Sequence, residues 1–340
     1  MNTKIEMFGI HPDEQKYLEE HFSKLGNDFT AVYHSETINP ENITGNKDTT
    51  VLSVFVDCVV NGAVMDAFPE LSLIVARSTG YDNIDLKEAE KRGITVCNVP
   101  SYGEKTVAEF TFGLILSLSR KIYTAIDRIK ENSNVSCEDL RGFDLADKTI
   151  GVIGTGKIGR HVIKIAKGFG MNVIAFDTTQ NEKTSSELGF KYVSMDELLN
   201  SSDVVTIHVP YSINSKHLIN ASAISKMKKT AILVNTSRGG LVDTNALATA
   251  LSEGKIAGAG LDVLEEEDAI NCNKAFIVGG HAEGHDLCAI IADHALLKMP
   301  NVVITPHIAF NTKESLERIL NTTIDNIRAW QDGSPTNIVK

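Results

Sequence analysis

One stretch constrains this chain more than any other. The apolar run Ile150 to Ile153 reads as a buried strand and leads directly into Gly154-Thr155-Gly156-Lys157-Ile158-Gly159, which opens the helical run Ile158 to Phe169. G-x-G-x-x-G alone is a weak signal, but strand, glycines and helix in this order make a βαβ unit with a parallel sheet. In such a unit Gly154 allows the tight turn, Gly156 lets a pyrophosphate approach the backbone, and Gly159 lets helix and strand pack closely. The anion then meets the unpaired N–H groups of a helix N-terminus. Asp177 ends the next strand, 18 residues past Gly159, where a carboxylate can accept the hydroxyls of an adenosine ribose. Only Thr178 and Thr179 follow it, and neither is a cation for a 2′-phosphate. The expected cofactor is NAD rather than NADP.

A chain of 340 residues exceeds the size at which one hydrophobic core stops growing, so two domains are expected. A formal charge of -11 without a basic patch argues against nucleic acid as a partner. The five cysteines are scattered, with no C-x-x-C pair, as free thiols in a reducing compartment would be. The N-terminus lacks the basic start and long apolar region of a signal peptide, so a cytoplasmic location is expected. The most apolar helical stretch, Val107 to Leu118, is too short to cross a bilayer and reads as a core or interface helix.

The first hundred residues alternate strand-like runs (Ile5 to Ile10, Val51 to Val56, Leu73 to Ala76, Thr95 to Val99) with helical patterns such as Glu14 to Leu25. A long helical pattern from Glu104 to Lys130 follows the turn at Pro100 to Gly103, and a domain crossover is placed just before it. A second α/β series then supplies strands at Ile150 to Ile153, Val173 to Asp177, Val204 to His208, Ile232 to Asn235, Gly258 to Asp262 and Val302 to Thr305. The last helix, Lys313 to Trp330, is expected to return to the first domain.

Ligands of open α/β sheets bind beyond the carboxyl ends of the strands. Three residues stand there in the second series: Arg238 after Asn235, Glu267 past Asp262, and His307 after Thr305. Reducing a keto acid by hydride transfer needs a proton for the developing alkoxide and a fixed cation for the carboxylate and carbonyl. His serves as the acid near neutral pH, and Arg offers a planar fork to carboxylate oxygens. A carboxylate beside the imidazole holds its tautomer and stabilises its charge. Each residue also has a plain alternative: a hydrogen-bonded structural His, an Arg capping a helix, and a solvated acid within Glu265-Glu266-Glu267-Asp268.

Over nearly its whole length the sequence resembles the D-isomer-specific 2-hydroxyacid dehydrogenase family. The motifs are Arg77 to Asp85 (RSTGYDNID), Asn98-Val99-Pro100 with Val107-Ala108-Glu109, the Gly154 to Gly159 loop, His208-Val209-Pro210, Asn235 to Val242, Gly260-Leu261-Asp262-Val263 and Thr305-Pro306-His307. The resemblance implies an α/β fold with a Rossmann-type NAD-binding domain (103–308) and a smaller, discontinuous flavodoxin-like substrate domain (1–102 and 309–340). It implies that Arg238 binds the substrate carboxylate and carbonyl, that Glu267 pairs with the acid His307, and that backbone N–H groups of Ser78, Thr79 and Gly80 hold the carboxylate. Cofactor contacts are implied for the Gly154 to Gly159 loop (Thr155, Gly156, Lys157 and Ile158 included), Asp177, His208, Val209, Pro210, Thr236, Ser237 and Asp262. Cleft closure on ligand binding and a homodimer built around the long helix after Glu104 are implied as well.

Within the family the lactate-type branch is the nearest in pattern, with Tyr102 and Phe310 flanking the alkyl end of a small substrate such as pyruvate. Asn311, where an aromatic residue is frequent, and the loop before His294 depart from that pattern. A dehydrogenase for a larger keto acid, such as 2-ketoisocaproate or phenylpyruvate, is the main alternative, and a non-catalytic NAD(H) sensor is an alternative of another class. Only 33 residues follow His307, too few for an appended regulatory domain. Cys272 to Cys288 carries His281, Glu283 and His285 at spacings that match no standard zinc site, so no metal is expected.

Overall fold

The central strands, such as Val51–Val54, Leu73–Ala76, Val204–Ile207 and Ile232–Asn235, are buried on both faces, which a parallel sheet covered by helices provides. A computed structural model describes residues 3–25, 28–133, 135–267 and 286–339. All pairings between its described strands are parallel. The chain divides into two compact units, Met1–Tyr102 with Thr312–Lys340, and Gly103–Asn311.

The first unit holds β1 (Thr3–Met7), β2 (Phe29–Tyr33), β3 (Val51–Val54), β4 (Leu73–Ala76) and β5 (Thr95–Cys97) in the order β2-β1-β3-β4-β5. This is the flavodoxin-like doubly wound order. Along β4, Ile74 and Ala76 enter one core while Leu73 and Val75 enter the other. That two-sided burial follows from the alternation of side chains in a strand and explains its continuous apolar run. Helix Pro12–Leu25 buries Leu18 and Phe22 in the second of these cores, where Leu320, Ile324 and Ile327 of helix Lys313–Gln331 also pack at helical spacing. β2, which alternates half-buried and exposed residues at the sheet edge, escaped the sequence reading.

The second unit holds β6 (Thr149–Ile153), β7 (Asn172–Phe176), β8 (Lys191–Tyr192), β9 (Val204–Ile207), β10 (Ile232–Asn235), β11 (Gly258–Leu261) and β12 (Val302–Ile304). Their order is β12-β11-β10-β9-β6-β7-β8, so strand order reverses at the neighbours β6 and β9. This is the Rossmann arrangement, extended by one strand. Its switch point puts the loop after β6 in the position where dinucleotides bind.

The expected long helix from Glu104 to Lys130 is two helices, Glu104–Ser119 and Ile122–Asn132, broken at Lys121 with φ 51. The incoming chain at 142–143 is the reason. Phe143 donates its N–H to the Ser119 carbonyl at 2.9 Å, and a Cβ on Gly142 would fall 2.0 Å from that oxygen. The carbonyl that a continuing helix would use is already taken. The first helix buries Ala108, Phe112, Leu114 and Ile115 in the core of this unit. Among the described residues no helix is long and apolar enough to cross a membrane.

A Cβ on Gly159 would sit 2.0 Å from the Gly154 carbonyl oxygen, so helix and loop meet there with no room for a side chain. Gly159→Ala is expected to reduce stability by about 1–3 kcal/mol, read as a lower urea midpoint. Gly168→Ala, at a helical glycine with open space around its Cβ position, should instead raise stability by about 0.5–1 kcal/mol.

Candidate active site

The loop after β6 needs each of its glycines for a separate reason. Gly154 has φ +96, and a Cβ there would lie 2.4 Å from the His208 carbonyl oxygen and 2.8 Å from Val209 Cγ1. Gly156 caps the helix Lys157–Gly168, and its Cβ position meets nothing within 4 Å. Open space beside Gly156 at the start of this helix fits a pyrophosphate group, since a helix N-terminus favours an anion. Gly159 makes the close packing described above. Lys157 Nζ lies 3.6 Å from Glu104 Oε1, and Ile158 packs against the core beneath the helix.

Asp177 follows β7 directly. Its Oδ2 accepts the Thr155 backbone N–H and the Thr155 hydroxyl, both at 2.7 Å, and its Oδ1 accepts the Thr179 N–H at 2.9 Å. Burial works against its charge, but the Thr155 and Thr179 amides and the Thr155 hydroxyl outweigh it and hold the carboxyl below its ordinary range. It is an anion at neutral pH.

The loops after β9 and β10 come next along the sheet edge. His208 Nε2 meets Thr206 Oγ1 at 2.9 Å, and its buried Nδ1 has no hydrogen-bond partner among the described residues. Burial pushes this imidazole down to about 3, so it is neutral. The Pro210 carbonyl accepts Ser215 Oγ at 3.0 Å. Thr236 Oγ1 pairs with Thr111 Oγ1 at 3.1 Å, and Ser237 Oγ donates to the Ile207 carbonyl at 2.8 Å. These two hydroxyls tie the loop after β10 to the protein.

That loop carries Arg238, in extended conformation, ahead of the short 3₁₀ turn Gly239–Leu241. Asn235 braces it: its Nδ2 donates to the Arg238 carbonyl at 2.9 Å and its Oδ1 accepts the Ser237 N–H at 3.0 Å. A Cβ on Gly239 would fall 1.9 Å from the Leu264 carbonyl oxygen, so the Arg238 loop lies directly against the segment leading to Glu267. Glu267 Oε2 accepts the Leu264 N–H at 3.3 Å, and its Oε1 lies 3.0 Å from His307 Nδ1.

His307 has φ 52, a left-handed conformation unusual for a residue with a side chain. Asp262 holds it there. The Asp262 carbonyl accepts the His307 N–H at 2.9 Å. The buried carboxylate accepts Thr305 Oγ1 at 2.5 Å, the Ile308 N–H at 3.0 Å and the Ala309 N–H at 2.8 Å. Burial lowers the affinity of His307 for a proton, yet the hydrogen bond and charge of Glu267 outweigh burial and the opposing charge of Arg238, and its pKa rises above the ordinary histidine value. Arg238, Glu267 and His307 are thus brought together electrically as well as in space.

In the first unit, Ser78, Thr79 and Gly80 follow β4. Ser78 Oγ donates to the Gly80 carbonyl at 2.6 Å, Thr79 Oγ1 to the Val99 carbonyl at 2.9 Å, and Asn98 Nδ2 to the Thr79 carbonyl at 2.8 Å. The Ser78 carbonyl accepts the Val99 N–H at 3.0 Å. Carbonyls and hydroxyls are therefore tied back, while the three backbone N–H groups donate to no other described residue. Three successive unengaged amides suit an anion. Buried Arg77 supports the loop from behind, with Nη1 on Ser53 Oγ at 3.1 Å and Nη2 on the Phe8 and Gly9 carbonyls at 2.5 and 3.0 Å. The Tyr102 carbonyl accepts Arg318 Nε at 2.6 Å. Phe310 is half-buried, three residues past His307.

Sequence reasoning did not single out Asn235, or Asp293, whose Oδ2 accepts the Glu266 N–H at 3.2 Å. Burial, with the charges of Glu265 and Glu266, pushes the Asp293 carboxyl up to about 7. Asn235 opens the Asn235 to Val242 motif, which is its signal in the sequence; Asp293 has none. Cys272, His281, Glu283 and His285 lie outside the described residues. Among the described residues no cluster of three metal-ligating side chains occurs.

With this geometry in place, comparison with known proteins gives a consistent result. Residues 112–309 match the D-isomer specific 2-hydroxyacid dehydrogenase NAD binding domain. A glyoxylate reductase of Korarchaeum cryptofilum is 38% identical over 86% of this chain and 83% of its own length. The apo-structure of D-lactate dehydrogenase from Escherichia coli superposes with TM-score 0.85 at 31% identity, covering 99% of this chain and 100% of that one. D-2-hydroxyisocaproate dehydrogenase superposes with TM-score 0.82 at 29% identity, over 99% of both chains. The chain belongs to the D-isomer-specific 2-hydroxyacid dehydrogenase family. It is an NAD-dependent oxidoreductase of D-2-hydroxy acids and their keto acids.

Asp262→Asn places an amide NH₂ where the loop offers only donors. It is expected to cost about 1–3 kcal/mol of stability, the usual penalty for an unsatisfied buried polar group, measured by equilibrium unfolding.

Proposed function

We propose that the enzyme reduces pyruvate to D-lactate, reversibly, with Arg238, Glu267 and His307 as its catalytic group. The observation carrying the reaction is the 3.0 Å contact of His307 Nδ1 with Glu267 Oε1 beside the charge of Arg238. Nδ1–H donates to the carboxylate, which leaves Nε2–H for the substrate oxygen. Arg238 binds the substrate carboxylate and polarises the carbonyl, and the amides of Ser78, Thr79 and Gly80 receive the carboxylate. The Gly154 to Gly159 loop receives the pyrophosphate, Asp177 the adenosine ribose, and the loops at His208 to Pro210, Thr236, Ser237 and Asp262 the nicotinamide half. When bound, the nicotinamide supplies the hydride. His307 supplies the proton to the alkoxide as it forms, and Glu267 stabilises the imidazolium until then.

The pH dependence follows from the raised pKa of His307. Keto-acid reduction needs the imidazolium, so it persists below that pKa and declines as pH rises through it. Oxidation of the hydroxy acid needs the neutral ring and behaves oppositely. Glu267→Gln removes the anionic partner and should move the reduction limb to lower pH in a kcat/KM profile. His307→Gln should reduce turnover roughly a hundredfold or more while NADH binding, followed by fluorescence, survives.

Pyruvate is favoured by the likeness to D-lactate dehydrogenase and by the bulk of Tyr102 and Phe310, assigned by family pattern to the alkyl end of the substrate. The likeness to D-2-hydroxyisocaproate dehydrogenase supports a larger keto acid as a second reading. Kinetics with glyoxylate, pyruvate, 2-ketobutyrate, 2-ketoisocaproate and phenylpyruvate decide between them. Pyruvate should lead, with 2-ketobutyrate roughly tenfold to two-hundredfold behind. Phe310→Ala should shift preference toward the branched and aromatic acids; a wild type that already prefers them excludes the pyruvate reading.

A homodimer is proposed for the same chain. Helix Ile122–Asn132 leaves Ile122, Tyr123, Ile126 and Ile129 exposed on one stripe, a face that self-association would cover. Light scattering should give twice the chain mass, and Ile126→Asp should shift the population toward monomer. The free cysteines among the described residues, Cys58, Cys97, Cys137 and Cys288, fit a cytoplasmic location.

A further inference from the structure

The selectivity for NAD assigned to Asp177 needs more than a carboxylate at a strand end, because a mobile carboxylate would discriminate poorly between a ribose hydroxyl and a phosphate. The surroundings of Asp177 contain a short relay that addresses this. Thr155 Oγ1 lies 2.7 Å from Asp177 Oδ2 and 2.9 Å from Tyr192 Oη, and Tyr192 Oη lies 3.3 Å from the Asn181 backbone N.

Only one arrangement of protons satisfies these contacts. An ionised carboxylate accepts and never donates, so the single Thr155 hydroxyl proton must point to Asp177. Tyr192 must then donate to Thr155, and its oxygen is left to accept the Asn181 N–H. Asn181 is fixed in turn, since its side chain accepts the Thr184 N–H at 2.9 Å and caps helix Glu182–Leu188. The Tyr192 hydroxyl therefore joins the glycine loop, through Thr155, to the 177–181 segment. Both lone pairs of Asp177 Oδ2 are engaged by Thr155, so a further donor meets Oδ1, which also accepts the Thr179 N–H.

We propose that Tyr192 is a positioning residue for cofactor selectivity: through Thr155 it fixes the Asp177 carboxylate for the ribose of NAD and against the 2′-phosphate of NADP. Tyr192 touches neither substrate nor the reacting atoms in this proposal. It rests on the assignment of Asp177 to the ribose. Its place in β8, paired with Ala175 of β7, puts the hydroxyl beside the two loops although 37 residues separate it from Thr155.

Steady-state kinetics with NADH and NADPH on the full-length enzyme test the idea. Tyr192→Phe keeps the ring and its edge contact with Phe190, at 5.0 Å between centroids, so the fold should persist, and thermal unfolding checks that it does. The NADH-over-NADPH ratio of kcat/KM should fall about three- to tenfold, the range of one lost hydrogen bond, with the change in KM for NADH. A purely structural role would alter stability and the KM for keto acid without moving that ratio. Thr155→Val should reproduce the loss, and Thr155→Ser, which keeps the hydroxyl, should restore most of the ratio.

Because the relay acts through Asp177, adding Tyr192→Phe to Asp177→Ala should change the ratio no further. If Asp177→Ala shifts the ratio and Tyr192→Phe does not, the relay is overturned and the ribose assignment stands. If Asp177→Ala itself leaves the ratio at the wild-type value, both fall together. A Tyr192→Phe effect that persists in full without the Asp177 carboxylate also overturns the relay.

Discussion

Parallel hydrogen bonding in the larger unit is the constraint on which the site depends. Since β6, β7, β9, β10, β11 and β12 all run the same way, the segments that follow them emerge on one edge of the sheet. Gly154, Asp177, His208, Arg238, Asp262 and His307 all stand at or just beyond those strand ends. An antiparallel sheet would have sent alternate loops to the opposite edge. The helices that parallel connections require also cover both faces, which is why the strands can be apolar throughout.

Local bracing then fixes the loops that carry Arg238, Glu267 and His307. The Asp262 carboxylate gathers Thr305, Ile308 and Ala309 around itself and keeps His307 in its left-handed conformation. Asn235 does the same for the Arg238 loop with a neutral side chain. The contact at Gly239, where no Cβ would fit against Leu264, presses these two supports together. Charges placed on such supports influence one another strongly, and the raised proton affinity of His307 is the balance of burial, Glu267 and Arg238.

The Asp177 carboxylate is braced in the same way. A carboxylate after β7 is a common device for recognising a ribose, but here it is held by two donors from one threonine, itself held by a tyrosine on the neighbouring strand. The smaller unit offers a comparable preparation for an anion, with carbonyls and hydroxyls tied back and three amides left available at Ser78 to Gly80.

What the sequence alone determined was mostly local. The glycine loop between strand and helix, the acid at the end of the following strand, and the strand-helix alternation are determined by short-range sterics and periodicity, and these suffice for the α/β class, the Rossmann element and NAD. The motifs around Arg238 and His307 were legible as loops after strands for the same reason. Where long-range contacts decide, the sequence was silent or misleading. The helix expected to run from Glu104 to Lys130 breaks because the chain near Phe143, more than twenty residues away, takes the Ser119 carbonyl. β2 and β8 are strands because a neighbour offers them a ladder, not because their own pattern demands it. Likewise the roles of Asn235, Asp293 and Tyr192 arise from partners distant in sequence or from burial, and only the tertiary structure sets the distances and dielectric on which those roles depend.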